Sequence, residues 1–128
     1  MANKGELVPE EDWLYRRVLH GKKYVDKEGN ATSRAFALRE VDTDGLSVNA
    51  KSLRNANDSV GDKEKFHLFE ISHVDVKVCG VQAFHDPIVD EDEAKSNPAH
   101  CLITGANFKI DNDIIPGLLA KRSQRVKF

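Results

Sequence analysis

The sequence predicts a small single-domain α+β fold: a mostly antiparallel or mixed β-sheet, a short central helical segment and a C-terminal amphipathic helix. Three observations support this. A length of 128 residues is typical of one domain. Short apolar and β-branched runs are separated by polar turns, and they do not alternate regularly with long helices. Apolar residues recur at helical spacing only near the end of the chain.

The first element follows a polar segment, residues 1–12, which we expect to be a flexible N-terminus before a single domain at residues 13–128. Trp13–Leu19 is rich in aromatic and β-branched residues, which favours a strand. Arg16 and Arg17 are adjacent, so on a strand they point to opposite faces. One of them can then reach a phosphate or a buried carboxylate.

A hairpin is predicted next. Its arms are Ser33–Val41 and Leu46–Ala50, and the turn is Asp42–Gly45, because Asp-Gly favours tight turns. We expect Phe36, Leu38, Leu46 and Val48 to share its buried face. The polar side chains on its other face form a candidate contact surface for a ligand or partner: Ser33, Arg34 and Ser47. An ordinary edge hairpin with a charged outer face explains the same pattern.

The middle of the chain is predicted to begin with a long surface loop at Lys51–Lys65, with a helical turn near its end, Asp62–Lys65. Phe66–His73 alternates loosely and indicates a strand. Val74–Gly80 either continues that strand or forms a short helix that stops at Gly80. The helix is favoured, since Val81–Phe84 then begins a new strand.

The closing helix is predicted from its capping and its apolar spacing. Asp113 is the expected N-cap, and Pro116 is tolerated only in the first turn. The apolar stripe consists of Ile114, Ile115, Leu118 and Leu119. The cations at the C-terminal end, where the helix dipole favours them, are Lys121, Arg122, Arg125 and Lys127.

Two apolar runs, Val81–Phe84 and Cys101–Thr104, flank a polar loop that contains Asp90, Glu91, Asp92 and Glu93. If the runs pair, His85 and His100 come to the same rim of the sheet. The two histidines are then a candidate acid/base pair, with Asp86 or the acidic loop holding His85 and with Arg16 or Arg17 stabilising phosphate charge. The alternative is that both histidines only hydrogen-bond the backbone and steady the loop.

Several classes of protein are disfavoured by motif and composition. The net charge of −2 argues against a protein that coats nucleic acid broadly. No zinc spacing, EF-hand loop or nucleotide-binding glycine motif is present, so we expect no metal and no cofactor. Cys79 and Cys101 fit reduced core thiols, and no membrane span or secretory signal is visible, which favours the cytoplasm.

Three functional hypotheses remain. The first is an accessory module of a bacterial-type cytoplasmic system that binds a protein partner through the acidic loop Asp90–Glu93 and the basic C-terminal tail. The second is an enzyme acting on a nucleotide or phosphodiester through His85, His100, Arg16 and Arg17. The third is an RNA- or single-strand-binding domain that uses Arg34, Phe36 and the tail.

Overall fold

The computed structural model describes residues 3–128 and forms a single α+β domain. Its strands are β1 Trp13–Leu19, β2 Leu46–Ala50, β3 Phe66–Ser72, β4 Gln82–His85, β5 His100–Thr104 and β6 Gln124–Arg125. Its helices are α1 Ala56–Val60, α2 His73–Val78 and α3 Ile115–Arg122, with 3-10 helices at Ser33–Phe36 and Glu93–Lys95. The strands form one antiparallel sheet in the order β4-β5-β2-β1-β3-β6. The predicted fold class is confirmed, including the C-terminal helix.

The sheet divides between β1 and β2. β1 pairs with β3 along its whole length, from Trp13 opposite Ser72 to Leu19 opposite Phe66. Its pairing with β2 covers only two positions, the second of which is Tyr15 opposite Asn49. Beyond Tyr15, β2 continues to pair with β5 but no longer pairs with β1. The strands β1 and β2 therefore separate and leave an opening in the sheet.

The main core lies on one face of this sheet, where the 3-10 helix Ser33–Phe36 and helix α3 cover the strands. A smaller cluster lies on the opposite face, where α1 packs on β1 and β3. The largest fully buried side chains of the main core are Leu14, Phe36, Leu46, Phe69, Ile71, Ile103, Phe108 and Leu119. Both faces of the sheet are therefore partly covered.

The described part of the N-terminal segment packs against the sheet. The backbone N–H of Gly5 donates to the carbonyl of His85 at 2.8 Å, and Val8 donates to the carbonyl of Ala83 at 3.0 Å. Val8 is fully buried. The flexibility predicted for residues 1–12 stays a prediction, while the described residues of this segment lie along the sheet through main-chain hydrogen bonds. The first two residues of that segment lie outside the described residues.

The predicted hairpin is wrong in its first arm. Ser33–Phe36 is a 3-10 helix, and β2 pairs with β1 and β5. Phe36 and Leu46 are nevertheless buried in the same core. Gly45 has a φ of 144°, and a Cβ there would lie 2.7 Å from the carbonyl oxygen of Ile103. The glycine is therefore needed because β5 passes so close, and not because a hairpin turns there.

The central helical segment is confirmed as α2, which begins at His73 and is followed by Gly80 in the left-handed region at φ 90°. The helical turn expected near residues 62–65 is confirmed, since the backbone N–H groups of Lys65 and Phe66 donate to the carbonyl oxygen of Asp62 at 3.1 and 3.0 Å. The helix α1 earlier in that loop was not predicted. Asn55 caps α1 by accepting a hydrogen bond from the backbone N–H of Asp58. Asn55 carries the capping signal that the sequence analysis did not use.

The C-terminal helix begins two residues after the predicted N-cap. Ile114 occupies the capping position without a side-chain hydrogen bond, so Asp113 is not the N-cap, whereas Pro116 does lie in the first turn. The apolar stripe is buried only in part: Ile115 and Leu119 face the core, and Ile114 is exposed. No helix within residues 3–128 is both long and apolar enough to cross a lipid bilayer.

Candidate functional site

A cleft of about 1130 Å³ opens where β1 and β2 separate. One wall comes from the second half of β1 and from α1, and the other comes from β2, β5 and the segment that follows the acidic loop. The polar residues that line it are Arg16, Arg17, Arg34, Arg39, Ser47, Asn49, Arg54, Asp58, Ser59, Lys95, Ser96, Asn97 and His100, together with Tyr15 and Tyr24. We call this feature the cleft.

The cleft carries a strong excess of positive charge. Six arginine and lysine side chains line it, against the single carboxylate of Asp58. Among the described residues, only Arg39 of these six forms an ion pair, with Asp42 at 3.1 Å. The five cations that have no ion-pair partner within residues 3–128 are Arg16, Arg17, Arg34, Arg54 and Lys95. A concave surface lined by one sign of charge focuses the electrostatic field and attracts anions.

Arg16 lies in the opening of the sheet and joins its two sides. Its Nε donates to the carbonyl oxygen of Ala35 at 3.0 Å, and its Nη1 donates to the carbonyl oxygen of Ser47 at 2.9 Å. Burial lowers the pKa of the guanidinium to about 10, so Arg16 remains charged at neutral pH. Its bond to Ser47 links β1 to β2 beyond the point where their backbone pairing ends.

Arg17 lies on the other face of the sheet, as the sequence predicted. Its guanidinium carbon is 4.3 Å from the centre of the Phe66 ring, a cation–π contact. The side chain is exposed to solvent. Because β1 and β2 diverge, both neighbouring arginines line one cleft although they point to opposite faces.

His100 lies in the wall of the cleft within a chain of hydrogen bonds. Its Nδ1 is 2.9 Å from the backbone oxygen of Asp86 and 3.2 Å from Oδ2 of the same residue. Its Nε2 is 3.1 Å from the Ser47 hydroxyl. Asp86 therefore contacts His100, and not the neighbouring His85 to which the sequence analysis had assigned it.

His85 lies on the opposite face from His100. The two apolar runs do pair, with His85 opposite Cys101, so the predicted neighbourhood of β4 and β5 is correct. His85 is buried, and its Nδ1 is 3.6 Å from the Cys101 sulfur. The expectation that the two imidazoles meet at one rim is wrong, because adjacent residues His100 and Cys101 point to opposite faces of β5.

The acidic loop is held by its own hydrogen bonds and lies outside the cleft. The carboxylate of Asp90 accepts from the backbone N–H of Asp92 at 2.9 Å, and Asp92 accepts from Ala94 at 3.0 Å. The Ser96 hydroxyl accepts from the Asp90 N–H at 2.9 Å. These bonds order the chain that then delivers Lys95 and Ser96 to the cleft.

The other predicted contact residues divide between the cleft and the rest of the surface. Arg34 and Ser47 line the cleft, and Ser33 does not. The basic tail lies elsewhere: Arg122 pairs with Asp75 at 2.8 Å, and Arg125 donates to His67 at 2.9 Å. The tail cations are therefore not part of the cationic surface of the cleft.

Sequence reasoning missed a polar network on the floor of the cleft. Arg54 donates to the side-chain oxygen of Asn97 at 3.1 Å, Asn97 donates to Asn49 at 2.8 Å, and Asn49 donates to Ser59 at 3.3 Å. Asn97 is 48 residues from Asn49 along the chain, so only the pairing of β2 with β5 brings them together. The Asn-Pro that precedes β5 was the available signal, and it had been interpreted only as a loop boundary.

The chain shows no likeness that assigns a function. Within residues 3–128, no three histidine, cysteine, aspartate or glutamate side chains are arranged so as to hold a metal ion. No protein-family model, curated protein or solved structure matches the chain. The functional argument therefore depends on the chemistry of the cleft.

Proposed function

We propose that the protein is a binding module that holds a phosphate-bearing ligand in the cleft. The observation that carries this proposal is the set of five cations that line one concave surface without an ion-pair partner among the described residues. Grouping them costs electrostatic free energy that a bound anion recovers. Four of the five are arginines, whose planar guanidinium binds phosphate oxygens in pairs.

The neutral groups in the cleft favour a ligand that also carries a base. Tyr15, Tyr24 and Phe66 line the cleft beside the cations, and aromatic faces stack on nucleobases. The volume of about 1130 Å³ is large enough for a nucleotide, since small-molecule sites usually measure about 300–1,000 Å³. The ligand class is therefore a nucleotide, either free or as part of a short single strand.

The binding test uses fluorescence anisotropy with a labelled single-stranded oligonucleotide, and competition by ATP distinguishes the free nucleotide from the strand. We expect saturable binding that weakens steeply as salt is raised. Arg54→Ala should lower the affinity about tenfold, which is the effect of losing one hydrogen-bonded charge. Lys121→Ala is the matched control, because Lys121 is an exposed cation outside the cleft.

Two results would overturn the proposal. One is the absence of binding by either ligand at low salt. The other is an equal loss of affinity in the Arg54 and Lys121 variants, which would mean that the ligand follows general surface charge. If ATP competes fully at concentrations near its own dissociation constant, the ligand is a free nucleotide.

The protein-partner hypothesis stays a prediction. Asp90–Glu93 is exposed and next to Val89, which is 90% exposed. The loop and the tail offer opposite charges to a partner, but carboxylates of the loop are already engaged by its own backbone. Purification from the native cell with a reproducible partner that is lost when these four residues are replaced would support it. Purification of the chain alone would count against it.

A further inference from the structure

Ser47, His100 and Asp86 form a continuous chain of hydrogen bonds that begins at an exposed hydroxyl in the cleft. The Ser47 Oγ is 3.1 Å from His100 Nε2, and His100 Nδ1 is 3.2 Å from Asp86 Oδ2. Pairing of β2 with β5 and of β5 with β4 sets this geometry. Ser47 is exposed, while His100 and Asp86 are half-buried beside it.

The surroundings of the imidazole determine which nitrogen carries the proton. Nδ1 of His100 faces two oxygens of Asp86, the backbone carbonyl and the carboxylate, and both can only accept a hydrogen bond. Nδ1 must therefore carry the hydrogen. In the neutral ring Nε2 is then the acceptor, so the Ser47 hydroxyl donates to it. This is the arrangement in which a histidine takes the proton of a serine.

We propose that Ser47 is the nucleophile of an ester-cleaving centre in the cleft, with His100 as general base and Asp86 as the group that positions the imidazole. The substrate class is a carboxylic ester whose acyl or alcohol part carries a phosphate. The phosphate requirement rests on the proposed anion-binding function of the cleft. As in serine hydrolases of unrelated folds, the imidazole lies between a hydroxyl and a carboxylate. Here the shorter Nδ1 contact, 2.9 Å, is with the backbone oxygen of Asp86, and the carboxylate lies at 3.2 Å.

The chemical steps balance without a cofactor. As Ser47 Oγ attacks the ester carbonyl carbon, its proton moves to His100 Nε2. The bond from that carbon to the alcohol oxygen then breaks, and the alcohol leaves with the proton from Nε2. Water, the second substrate, gives a proton to Nε2 and attacks the acyl-serine. The acid is released, and the Ser47 hydroxyl regains its proton.

Positive charge beside Ser47 favours the oxyanion that forms in this reaction. The Arg16 guanidinium donates from Nη1 to the carbonyl oxygen of Ser47 at 2.9 Å, so a cation is fixed next to the nucleophile's own backbone. The electrostatic field of this fixed cation favours negative charge that develops near Ser47. Other cations of the cleft are available to hold the phosphate of the substrate.

The experiment uses a biotinylated fluorophosphonate, which reacts with activated serines and needs no knowledge of the substrate. The full chain is treated, and intact mass and peptide mapping locate the adduct. We expect labelling at Ser47, none at that position in Ser47→Ala, and a labelling rate lowered about tenfold to a hundredfold in His100→Gln and Asp86→Asn. Ser33→Ala is the matched control and should label like the unaltered protein, because Ser33 is an exposed serine that lies outside the cleft.

The pH profile separates a base from a merely structural histidine. The labelling rate of the unaltered protein should depend on pH, and His100→Gln should lose this dependence while keeping its circular dichroism spectrum. Absence of an adduct on Ser47 in the folded protein, or equal rates with and without His100, would overturn the proposal. Oligonucleotide binding is measured on the same samples. Retained binding without labelling refutes the ester-cleaving centre alone, whereas loss of both refutes the binding function as well.

Discussion

Two pairs of side chains, one on each face of the sheet at β5, combine similar chemical groups but differ in their exposure to solvent. On the core face, the Cys101 sulfur lies 3.6 Å from His85. On the cleft face, the Ser47 hydroxyl lies 3.1 Å from His100. Each pair joins a potential nucleophile to an imidazole, but Cys101 and His85 are buried while Ser47 is exposed.

The difference shows that proximity of a nucleophile and a base does not make a reactive site. Burial raises the pKa of the Cys101 thiol to about 12, because its thiolate has no water to solvate it. Among the described residues, the hydrogen-bond contact of the His85 ring is with the Cys101 sulfur, and the ring is buried. His100 is held by Asp86 on one side and faces an open cleft on the other.

The largest expected effect is the protection of Cys101. Its pKa is raised from 9.0 to about 12, so below pH 9 the thiolate is about a thousandfold scarcer than in an ordinary thiol. In a Cys79→Ala background, we expect alkylation by iodoacetamide to be slower than in the urea-unfolded chain by at least that factor. The unfolded rate should level off above pH 9, and the native rate should keep rising. Similar native and unfolded rates, measured by intact mass, would contradict the comparison.

A second test compares the free energy of unfolding of variants at the adjacent arginines, whose side chains lie on the two faces of β1. Arg16→Met removes hydrogen bonds to two backbone carbonyls and should lower the free energy of unfolding by about 2–3 kcal/mol. Arg17→Met loses only an exposed contact with Phe66 and should cost less than about 1 kcal/mol. Urea denaturation measures both. Equal losses would show that Arg16 does not join the two sides of the cleft.

The smallest expected effect is a difference in the free energy of unfolding between variants at Cys101 and at Ser47. Cys101→Ala deletes a buried sulfur and should cost about 1 kcal/mol. Ser47→Ala changes an exposed hydroxyl and should alter stability by no more than about 0.5 kcal/mol. A large loss in Ser47→Ala, seen as a shifted urea midpoint, would mean that this hydroxyl serves the fold.

Local sequence signals were sufficient for much of the fold. The strands at Trp13–Leu19 and Phe66–Ser72 followed from β-branched and aromatic content, and α2 followed from the stop at Gly80. The 3-10 helix at Ser33–Phe36 was missed, because a four-residue segment has no period to detect. Its burial depends on contacts with α3. Helix α3 begins at Ile115, 79 residues after Phe36.

The site was predicted residue by residue, but not as an assembly. Arg16, Arg17, Ser47 and His100 were all candidates from the sequence, for three different roles. They meet because β1 and β2 separate after two paired positions, and no local pattern encodes where a long-range strand pair ends. The prediction that Asp86 holds His85 failed for the same reason. The neighbouring His85 side chain points away from Asp86, which contacts His100 instead.

β4 is the outermost strand on its side of the sheet, and an outermost strand with free N–H and C=O groups recruits strands from other molecules. Gly5, Glu6 and Val8 already occupy such groups on Ala83 and His85. Residues of the N-terminal segment thus cover this edge of the sheet. This opposes polymerisation by strand addition, while the cleft, in which we propose that a ligand binds, opens two strands further into the sheet, between β2 and β1.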